Sequence, residues 1–226
     1  MLRPEVDNGV PRTIVDSVAL VESVRELLHP GHRCFVGVVG APGSGKTHVA
    51  RFLHRVVSDV VVSTVAMDGF HLANDVLGVL GRRQYKGRPD TFDVAGFVNL
   101  LDRLARREPG PVYAPRFVRE IEEPIAGSLA VAADAELVIV EGNYLLVDEP
   151  PWDAVAPRLD ATYYLDTPEP VRIERLLVRH RRTYGVTGAA EWIERVDRPN
   201  SAIVEATRSR ADMLVEHFDI DGEPVH

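Results

Sequence analysis

The strongest chemical signal is a glycine-rich segment that fits the pattern G-x-x-x-x-G-K-[ST], namely Gly40-Ala41-Pro42-Gly43-Ser44-Gly45-Lys46-Thr47. Its glycines let backbone N–H groups turn inward around a polyphosphate, and the helix expected after the loop points its positive end there. We expect Lys46 to reach the β- and γ-phosphates of ATP and the Thr47 hydroxyl to bind Mg²⁺. The predicted nucleotide-binding residues here are Gly40, Ala41, Gly43, Ser44, Gly45, Lys46, Thr47 and His48.

Two acidic residues follow predicted buried strands. Asp68 comes just after the strand predicted over 60–66, and Glu141 ends the strand predicted over 137–140. Ligands of open α/β sheets bind beyond the carboxyl ends of the strands, so both carboxylates should face the phosphate loop. Asp68 and Lys46 are the predicted catalytic residues, with Asp68 accepting a hydroxyl proton, and Glu141 is the predicted metal ligand beside Thr47. The alternative is that each carboxylate only caps the segment that follows it.

An arginine-rich helix is predicted over 170–182. Four of its arginines are spaced by 3, 4 and 3 residues and therefore share one helix face. These residues are Arg172, Arg175, Arg179 and Arg182. Two glycines follow, a pattern typical of a lid, here 170–190, that closes over phosphates, with Arg175 and Arg179 as predicted nucleotide contacts. The alternative is a solvated face that pairs with acidic residues of the same helix.

Alternating apolar strands and amphipathic helices must position these groups. The strands are predicted over 34–39, 60–66, 137–140, 161–165 and 213–215, and the helices over 13–28, 46–57, 94–107, 170–182 and 189–211. This order predicts the α/β class, a P-loop NTPase with a mainly parallel sheet flanked by helices. We expect a single domain over 1–226, with an N-terminal helical extension (1–33) and an inserted substrate-binding region (69–130), irregular or extended at 109–127.

Composition narrows the class of partner. The 226 residues include 34 acidic and 26 basic side chains, a formal charge of −8, which disfavours nucleic-acid and anionic-membrane binding. A single cysteine fits a reducing compartment, and no apolar run is long enough to span a membrane. Without a basic region and apolar stretch typical of a signal peptide near residue 1, we expect a cytoplasmic protein.

The few lysine and glutamine residues exclude two other kinds of P-loop protein, GTPases and ABC ATPases. The only lysines are Lys46 and Lys86, and neither follows an asparagine, so the guanine-binding motif Asn-Lys-x-Asp is absent. The only glutamine, Gln84, follows arginine, so the Leu-Ser-Gly-Gly-Gln signature of ABC ATPases is absent as well. A small-molecule kinase or an ATPase of another kind remains.

Five segments in order resemble the phosphoribulokinase/uridine kinase family. They are the phosphate loop, Met-Asp-Gly-Phe-His-Leu (67–72), Lys-Gly-Arg-Pro-Asp-Thr-Phe-Asp (86–93), Pro-Val-Tyr (111–113) and Glu-Gly-Asn-Tyr-Leu-Leu (141–146). The resemblance covers about residues 34–215. The order and approximate spacing of the segments are similar to those of uridine kinases, bacterial pantothenate kinases and fructose-transport-associated kinases. It implies phosphorylation of a hydroxyl on a small metabolite with ATP and Mg²⁺. Asp68 then matches the catalytic aspartate, Glu141 the acidic residue of the Walker B-like strand, and Tyr113 the substrate-segment tyrosine.

The resemblance and the inserted region together suggest a substrate-binding set. It comprises Asp68, His71, Lys86, Tyr113, Arg116 and Glu141. Arg116 and Arg119 would recognise an anionic or polyhydroxyl substrate, or else pair with neighbouring glutamates, and His71 would contact substrate or serve the core. A non-catalytic ATP-binding regulator, for example of sugar transport, is the alternative function. The expected partner is a small molecule, and a homodimer is a hypothesis that rests on family analogy alone.

Overall fold

A parallel six-stranded sheet is the centre of the computed structural model, which describes residues 11–216. The strands of these residues are β1 (Arg12–Ile14), β2 (Cys34–Val39), β3 (Val62–Ala66), β4 (Val112–Val118), β5 (Glu123–Val131), β6 (Leu137–Gly142), β7 (Ala161–Asp166) and β8 (Met213–Glu216). The sheet order is β1-β8-β7-β2-β6-β3, and every neighbouring pair is parallel. The predicted α/β class with a mainly parallel sheet is confirmed.

Helices cover both faces of this sheet. The α-helices of the described residues are α1 (Ser17–Arg25), α2 (Lys46–Val56), α3 (Asn74–Val79), α4 (Val94–Ala105), α5 (Glu169–Trp192) and α6 (Arg198–Glu205). Of these, α1 and α2 contribute to one buried cluster, and α4 and α6 contribute to the other. Every residue of β2 is buried, because a parallel strand between two helical layers has no solvent face. Val36 shares one buried cluster with Leu20 and Phe52, whereas Phe35 shares the other with Phe97. This double core holds the carboxyl end of β2, where the phosphate loop begins.

The N-terminal part of the chain corrects one prediction. The helix predicted over 13–28 is wrong at its start, because Arg12–Ile14 pair with β8 as an edge strand of the sheet. Asp16 explains the boundary: its carboxylate accepts a hydrogen bond from the backbone N–H of Ala19 (2.8 Å) and caps α1. The extension predicted over 1–33 therefore includes an edge strand as well as a helix, and residues 1–10 of it lie outside the described residues.

The inserted region contains a β-hairpin. Strands β4 and β5 pair antiparallel, with a register shift between Ala114 and Arg116. The segment 109–127 is therefore extended, as one of the two predicted alternatives has it, but its pairing was not predicted. Pro115 lies at the register shift, and proline is tolerated in strands at such irregularities. The hairpin crosses the turn that carries Asp68, so its position bears on the site.

The helix predicted over 170–182 is longer than expected. Helix α5 runs over Glu169–Trp192 with a break at Gly185, whose φ of 69° lies in the left-handed region. A π-helical turn (Ile193–Asp197) joins it to α6. Pro199 lies in the first turn of α6, where a missing N–H costs no hydrogen bond, so this proline is compatible with the helix predicted over 189–211. Among residues 11–216 no helix is long and apolar enough to cross a membrane.

Candidate active site

The phosphate loop joins β2 to α2 and needs glycine for steric reasons. Gly43 has a φ of 79°, and a Cβ there would lie 2.6 Å from the backbone oxygen of Arg172. The hydroxyl of Ser44 is buried and has no hydrogen-bond partner within the described residues. This hydroxyl packs against Gly40, where a Cβ would lie 2.5 Å from it. His48 lies half-buried in the first turn of α2.

Lys46 is folded back onto the loop it follows. Its ammonium group donates hydrogen bonds to the backbone oxygens of Gly40 (2.8 Å) and Ala41 (3.1 Å). Burial lowers the pKa of Lys46 to about 8, although the carboxylates of Glu141 and Asp68 act to raise it. The ammonium therefore lies within the loop and close to both carboxylates.

Thr47 and Glu141 meet at the carboxyl edge of the sheet. The Thr47 hydroxyl donates a hydrogen bond to Oε2 of Glu141 (2.9 Å), and the register of β2 and β6 places Val38 opposite Glu141. Burial and the nearby carboxylate of Asp68 raise the pKa of Glu141. Mg²⁺ at nucleotide sites uses one or two protein oxygen ligands together with phosphate oxygens, and this pair offers that chemistry. In the described part of the chain no group of three or more His, Cys, Asp or Glu side chains forms a metal site by itself.

Asp68 lies in a 3₁₀ turn (Met67–Phe70) directly after β3. Because β3 pairs with β6, with Ala66 opposite Glu141, the two carboxylates lie on neighbouring strand ends. Burial acts to raise the pKa of Asp68, but the charge that His71 carries when protonated, together with those of Arg119 and Lys46, outweighs it, and the net pKa is lowered. The carboxyl group, whose side chain is 38% exposed, is therefore ionised and accessible at neutral pH.

Aromatic side chains and strand β4 pack against the turn that carries Asp68. Nδ1 of His71 donates to the backbone oxygen of Asp68 (2.7 Å), and its ring lies between Phe92 (4.1 Å) and Phe117 (4.7 Å between centroids). Burial lowers the pKa of His71. A Cβ on Gly69 would lie 2.4 Å from the backbone oxygen of Pro115, so glycine allows β4 to approach this turn. His71 thus supports the turn, and its contact with a substrate stays a prediction.

Lys86 connects the inserted segments to one another. Its ammonium group donates to Oδ1 of Asn74 (2.8 Å) and to the backbone oxygen of Glu122 (2.5 Å), and it lies 3.5 Å from Oε2 of Glu123. The side chain is 8% exposed and lies over the ring of Phe117. These contacts identify Lys86 as a link between α3 and the β4–β5 hairpin.

Two other predicted substrate residues lie on the surface of the hairpin. The Tyr113 side chain is 61% exposed, and Arg116 is exposed one residue beyond Pro115. Both project from β4, the strand that approaches the Asp68 turn. Their substrate contacts stay predictions, because no acceptor has been placed against this surface.

The four arginines of the predicted lid face have different surroundings. Arg172 is buried and donates to Thr167, Ser201 and Glu205, so it joins α5 to α6. Arg175 points Nη1 at the phosphate loop, 3.3 Å from the backbone oxygen of Gly43. Burial and the nearby Arg119 lower the pKa of Arg179, and the carboxylates of Asp68 and Glu141 are among the charges that raise it. Arg182 is exposed.

This distribution separates two roles on one helix. Arg175 and Arg179 lie near the loop and the carboxylates, as expected for phosphate contacts, whereas Arg172 is a packing residue. The alternative was that the arginines pair with acidic residues of their own helix. Glu169 of this helix instead accepts a hydrogen bond from Arg198 (2.6 Å), which belongs to α6. The arginines of the shared face predicted from spacing therefore have different contacts, and the role of Arg175 and Arg179 in binding phosphate stays a prediction.

Arg119 is the residue of this site that the sequence singled out least clearly. Its Nη2 lies 3.7 Å from Oδ2 of Asp68. The sequence left open whether Arg119 pairs with neighbouring glutamates, and the contact with Asp68 joins a hairpin turn to the end of β3. No local spacing signals such a contact, because it depends on how the hairpin folds over the sheet.

Comparisons with known proteins identify the family of this chain and support its fold. The profile of the Phosphoribulokinase / Uridine kinase family matches residues 35–221. The uncharacterised protein YggC of Escherichia coli (strain K12) is 31% identical over 218 residues, covering 94% of this chain and 87% of its own. A provisionally named uridine kinase of Schizosaccharomyces pombe is 30% identical over 204 residues, covering 85% and 87%. The crystal structure of a provisionally named fructose transport system kinase from Silicibacter sp. TM1040 has a TM-score of 0.79 at 34% identity, covering 87% and 97%.

Proposed function

The chain belongs to the phosphoribulokinase/uridine kinase family, and we propose that it transfers the γ-phosphoryl group of ATP to a hydroxyl of a small metabolite. The acceptor is of the nucleoside, pantothenate or sugar type. The observation that carries the proposal is the convergence of three groups at one sheet edge: the Lys46 ammonium, the Thr47–Glu141 pair and the Asp68 carboxylate. A non-catalytic ATP sensor would need no general base, so this arrangement favours the kinase over the regulator.

In the proposed reaction each residue has a separate task. The acceptor hydroxyl lies against Asp68, which takes its proton as the hydroxyl oxygen forms a bond to the γ-phosphorus. The bond from phosphorus to the oxygen between the β- and γ-phosphates breaks, and ADP leaves with that oxygen. Lys46 moves from the loop carbonyls to the phosphates, and Arg179 adds positive charge to the transferred group.

The donor set of the site suits Mg²⁺. Thr47 and Glu141 would hold the ion, directly or through water, because hydroxyl and carboxylate oxygens are its preferred protein ligands. When bound, Mg²⁺ neutralises charge on the phosphate oxygens. The raised pKa of the Glu141 carboxyl reflects burial beside Asp68, and a cation at this position would favour its ionised form.

The decisive experiment combines a substrate screen with one substitution. ADP release is measured with Mg-ATP over nucleosides, pantothenate, sugars and sugar phosphates. With an acceptor in hand, Asp68→Asn is expected to lower kcat by about 10²- to 10⁴-fold, the usual contribution of a general base, while ATP still binds. Asp75→Asn is the matched control, because Asp75 is exposed in α3. Unchanged turnover in Asp68→Asn would exclude Asp68 as the base.

A further inference from the structure

Arg119 is a cation that the proposed phosphoryl transfer does not by itself require. It lies in the turn between β4 and β5, with Nη2 3.7 Å from Oδ2 of Asp68 and a side chain that is 51% exposed. Within the described residues its guanidinium makes no hydrogen bond. A guanidinium carries five N–H donors in a fixed fork. This loose ion pair therefore leaves most of these donors available to a ligand beside Asp68.

The turn that presents Arg119 is held in place from outside the hairpin. The backbone oxygen of Glu122 accepts hydrogen bonds from Lys86 (2.5 Å) and from Nδ2 of Asn74 (3.2 Å). The carboxylate of Glu123 accepts a further bond from the backbone N–H of Asn74 (3.0 Å). A side chain on an anchored turn loses less conformational freedom when it binds a ligand. The contacts that hold this turn therefore favour a role of Arg119 in binding a ligand.

The charges around Asp68 come from two directions. Lys46 and Arg179 lie on the phosphate side, in the loop and in the helix whose Arg175 contacts it. Arg119 comes from the hairpin, and its charge also acts to lower the pKa values of the Glu122 and Glu141 carboxyls, although burial raises both overall. Arg119 therefore adds a positive charge beside Asp68 from the side opposite the phosphate-loop cations.

We propose that Arg119 binds an anionic group of the acceptor, so that the substrate is a hydroxyl compound that carries a carboxylate or a phosphate. This inference rests on the proposed kinase function. Before the acceptor binds, Arg119 pairs with Asp68. When the acceptor binds, its anionic group forms two hydrogen bonds with the guanidinium of Arg119 and replaces Asp68 as its partner. The acceptor hydroxyl then lies beside Asp68. A neutral acceptor would offer Arg119 only uncharged oxygen atoms, which form weaker hydrogen bonds with a guanidinium than an anion does.

Matched acceptors test the substrate class. ADP release is compared for glycerol, glycerate and glycerol 3-phosphate, for ribose and ribose 5-phosphate, and for pantothenol and pantothenate. We expect kcat/KM of an anionic member to exceed that of its neutral partner by at least about 10-fold, the effect of one hydrogen bond to a charged group. Turnover that favours the neutral members overturns the inference and leaves the kinase proposal intact. No ADP release from any acceptor counts against the kinase proposal itself.

Substitution of Arg119 distinguishes binding of the acceptor anion from an effect of Arg119 on the base Asp68 alone. Arg119→Ala is expected to raise KM for the anionic acceptor by about 10- to 100-fold and to leave KM for ATP unchanged, with partial recovery in Arg119→Lys. Arg106→Ala, an exposed arginine at the far end of α4, is the control. With a neutral acceptor Arg119→Ala should raise KM by less than with the anionic acceptor, because only the anionic acceptor loses a charged partner. An equal loss of kcat on neutral and anionic acceptors would show that Arg119 acts only on Asp68, and would overturn the inference.

A binding measurement tests the same contact without turnover. The nucleotide site is first filled with Mg²⁺ and the non-hydrolysable analogue AMP-PNP, and the melting temperature is then followed on addition of inorganic phosphate or glycolate. We expect either anion to raise the melting temperature of the wild type and of Arg106→Ala but not of Arg119→Ala. No response of the wild type, or the same response in Arg119→Ala, would overturn the inference.

Discussion

Replacement of Lys86 by methionine tests whether this buried ammonium organises the acceptor side of the site. Methionine keeps the length of the apolar stem and removes two hydrogen bonds and an ion pair with Glu123. A hydrogen bond to a charged group contributes about 1.5–3 kcal/mol. Part of the loss is offset, because Asn74 still donates to the backbone oxygen of Glu122 and to the carboxylate of Glu123.

The expected loss is therefore about 2–3 kcal/mol in the free energy of unfolding, near the lower limit for breaking a buried ion pair. For a chain of this size that corresponds to a fall of about 4–12 °C in Tm. Lys86→Arg should lose less, since it keeps the charge, but its planar group does not match three acceptors arranged around one nitrogen. Both variants should raise KM for the acceptor more than KM for ATP, because the hairpin and not the phosphate loop is released.

Urea unfolding followed by circular dichroism measures the stability, and steady-state kinetics measure the two KM values. Arg83→Met is the control, because Arg83 is an exposed cation three residues earlier in the same segment. If Lys86→Met unfolds within about 0.5 kcal/mol of the control, the network does not stabilise the fold and the reasoning is wrong. If KM for ATP rises as much as KM for the acceptor, Lys86 does not act through the hairpin.

Two further predictions concern the metal and the buried thiol. Thr47→Val should raise the Mg²⁺ concentration for half-maximal activity by about 10-fold or more, because the hydroxyl beside Glu141 is lost; an unchanged Mg²⁺ dependence would exclude Thr47 as a ligand. Burial, and then the charge of Asp160, raises the pKa of the Cys34 thiol to about 12, so the reactive thiolate stays scarce in the folded protein up to at least pH 9. Iodoacetamide at pH 8.5 should therefore modify Cys34 only after unfolding in guanidinium chloride, and rapid alkylation of the folded protein would contradict the buried position.

The phosphate loop and the two carboxylates could be predicted because each depends on a short stretch of chain. The spacing of the glycines and the position of Lys46 can be read from eight consecutive residues, whereas the close approach of Arg172 to Gly43 depends on the tertiary structure. Asp68 and Glu141 follow apolar runs, and parallel strands bring their carboxyl ends to one edge. The edge strand Arg12–Ile14 was missed because three residues carry too little periodicity to distinguish a strand from the start of a helix.

The roles of the individual arginines and of Lys86 could not be predicted in the same way. Arg172 and Arg175 share a helix face, yet one is bonded to Ser201 and the other points at the phosphate loop. Periodicity gives the direction of a side chain around its helix, but the neighbour it meets depends on how other segments pack there. Lys86 likewise has its partners in α3 and in the hairpin.

By itself the sequence determined the fold class, the phosphate loop and the carboxylates that converge on it, because hydrophobic periodicity and local backbone chemistry are encoded residue by residue. Only the tertiary structure decided that Arg119 pairs with Asp68 and not with a neighbouring glutamate. It also decided that Lys86 anchors the turn that carries Arg119. These contacts join segments far apart in the chain, and a charge has no preferred partner until packing brings one within a few ångströms.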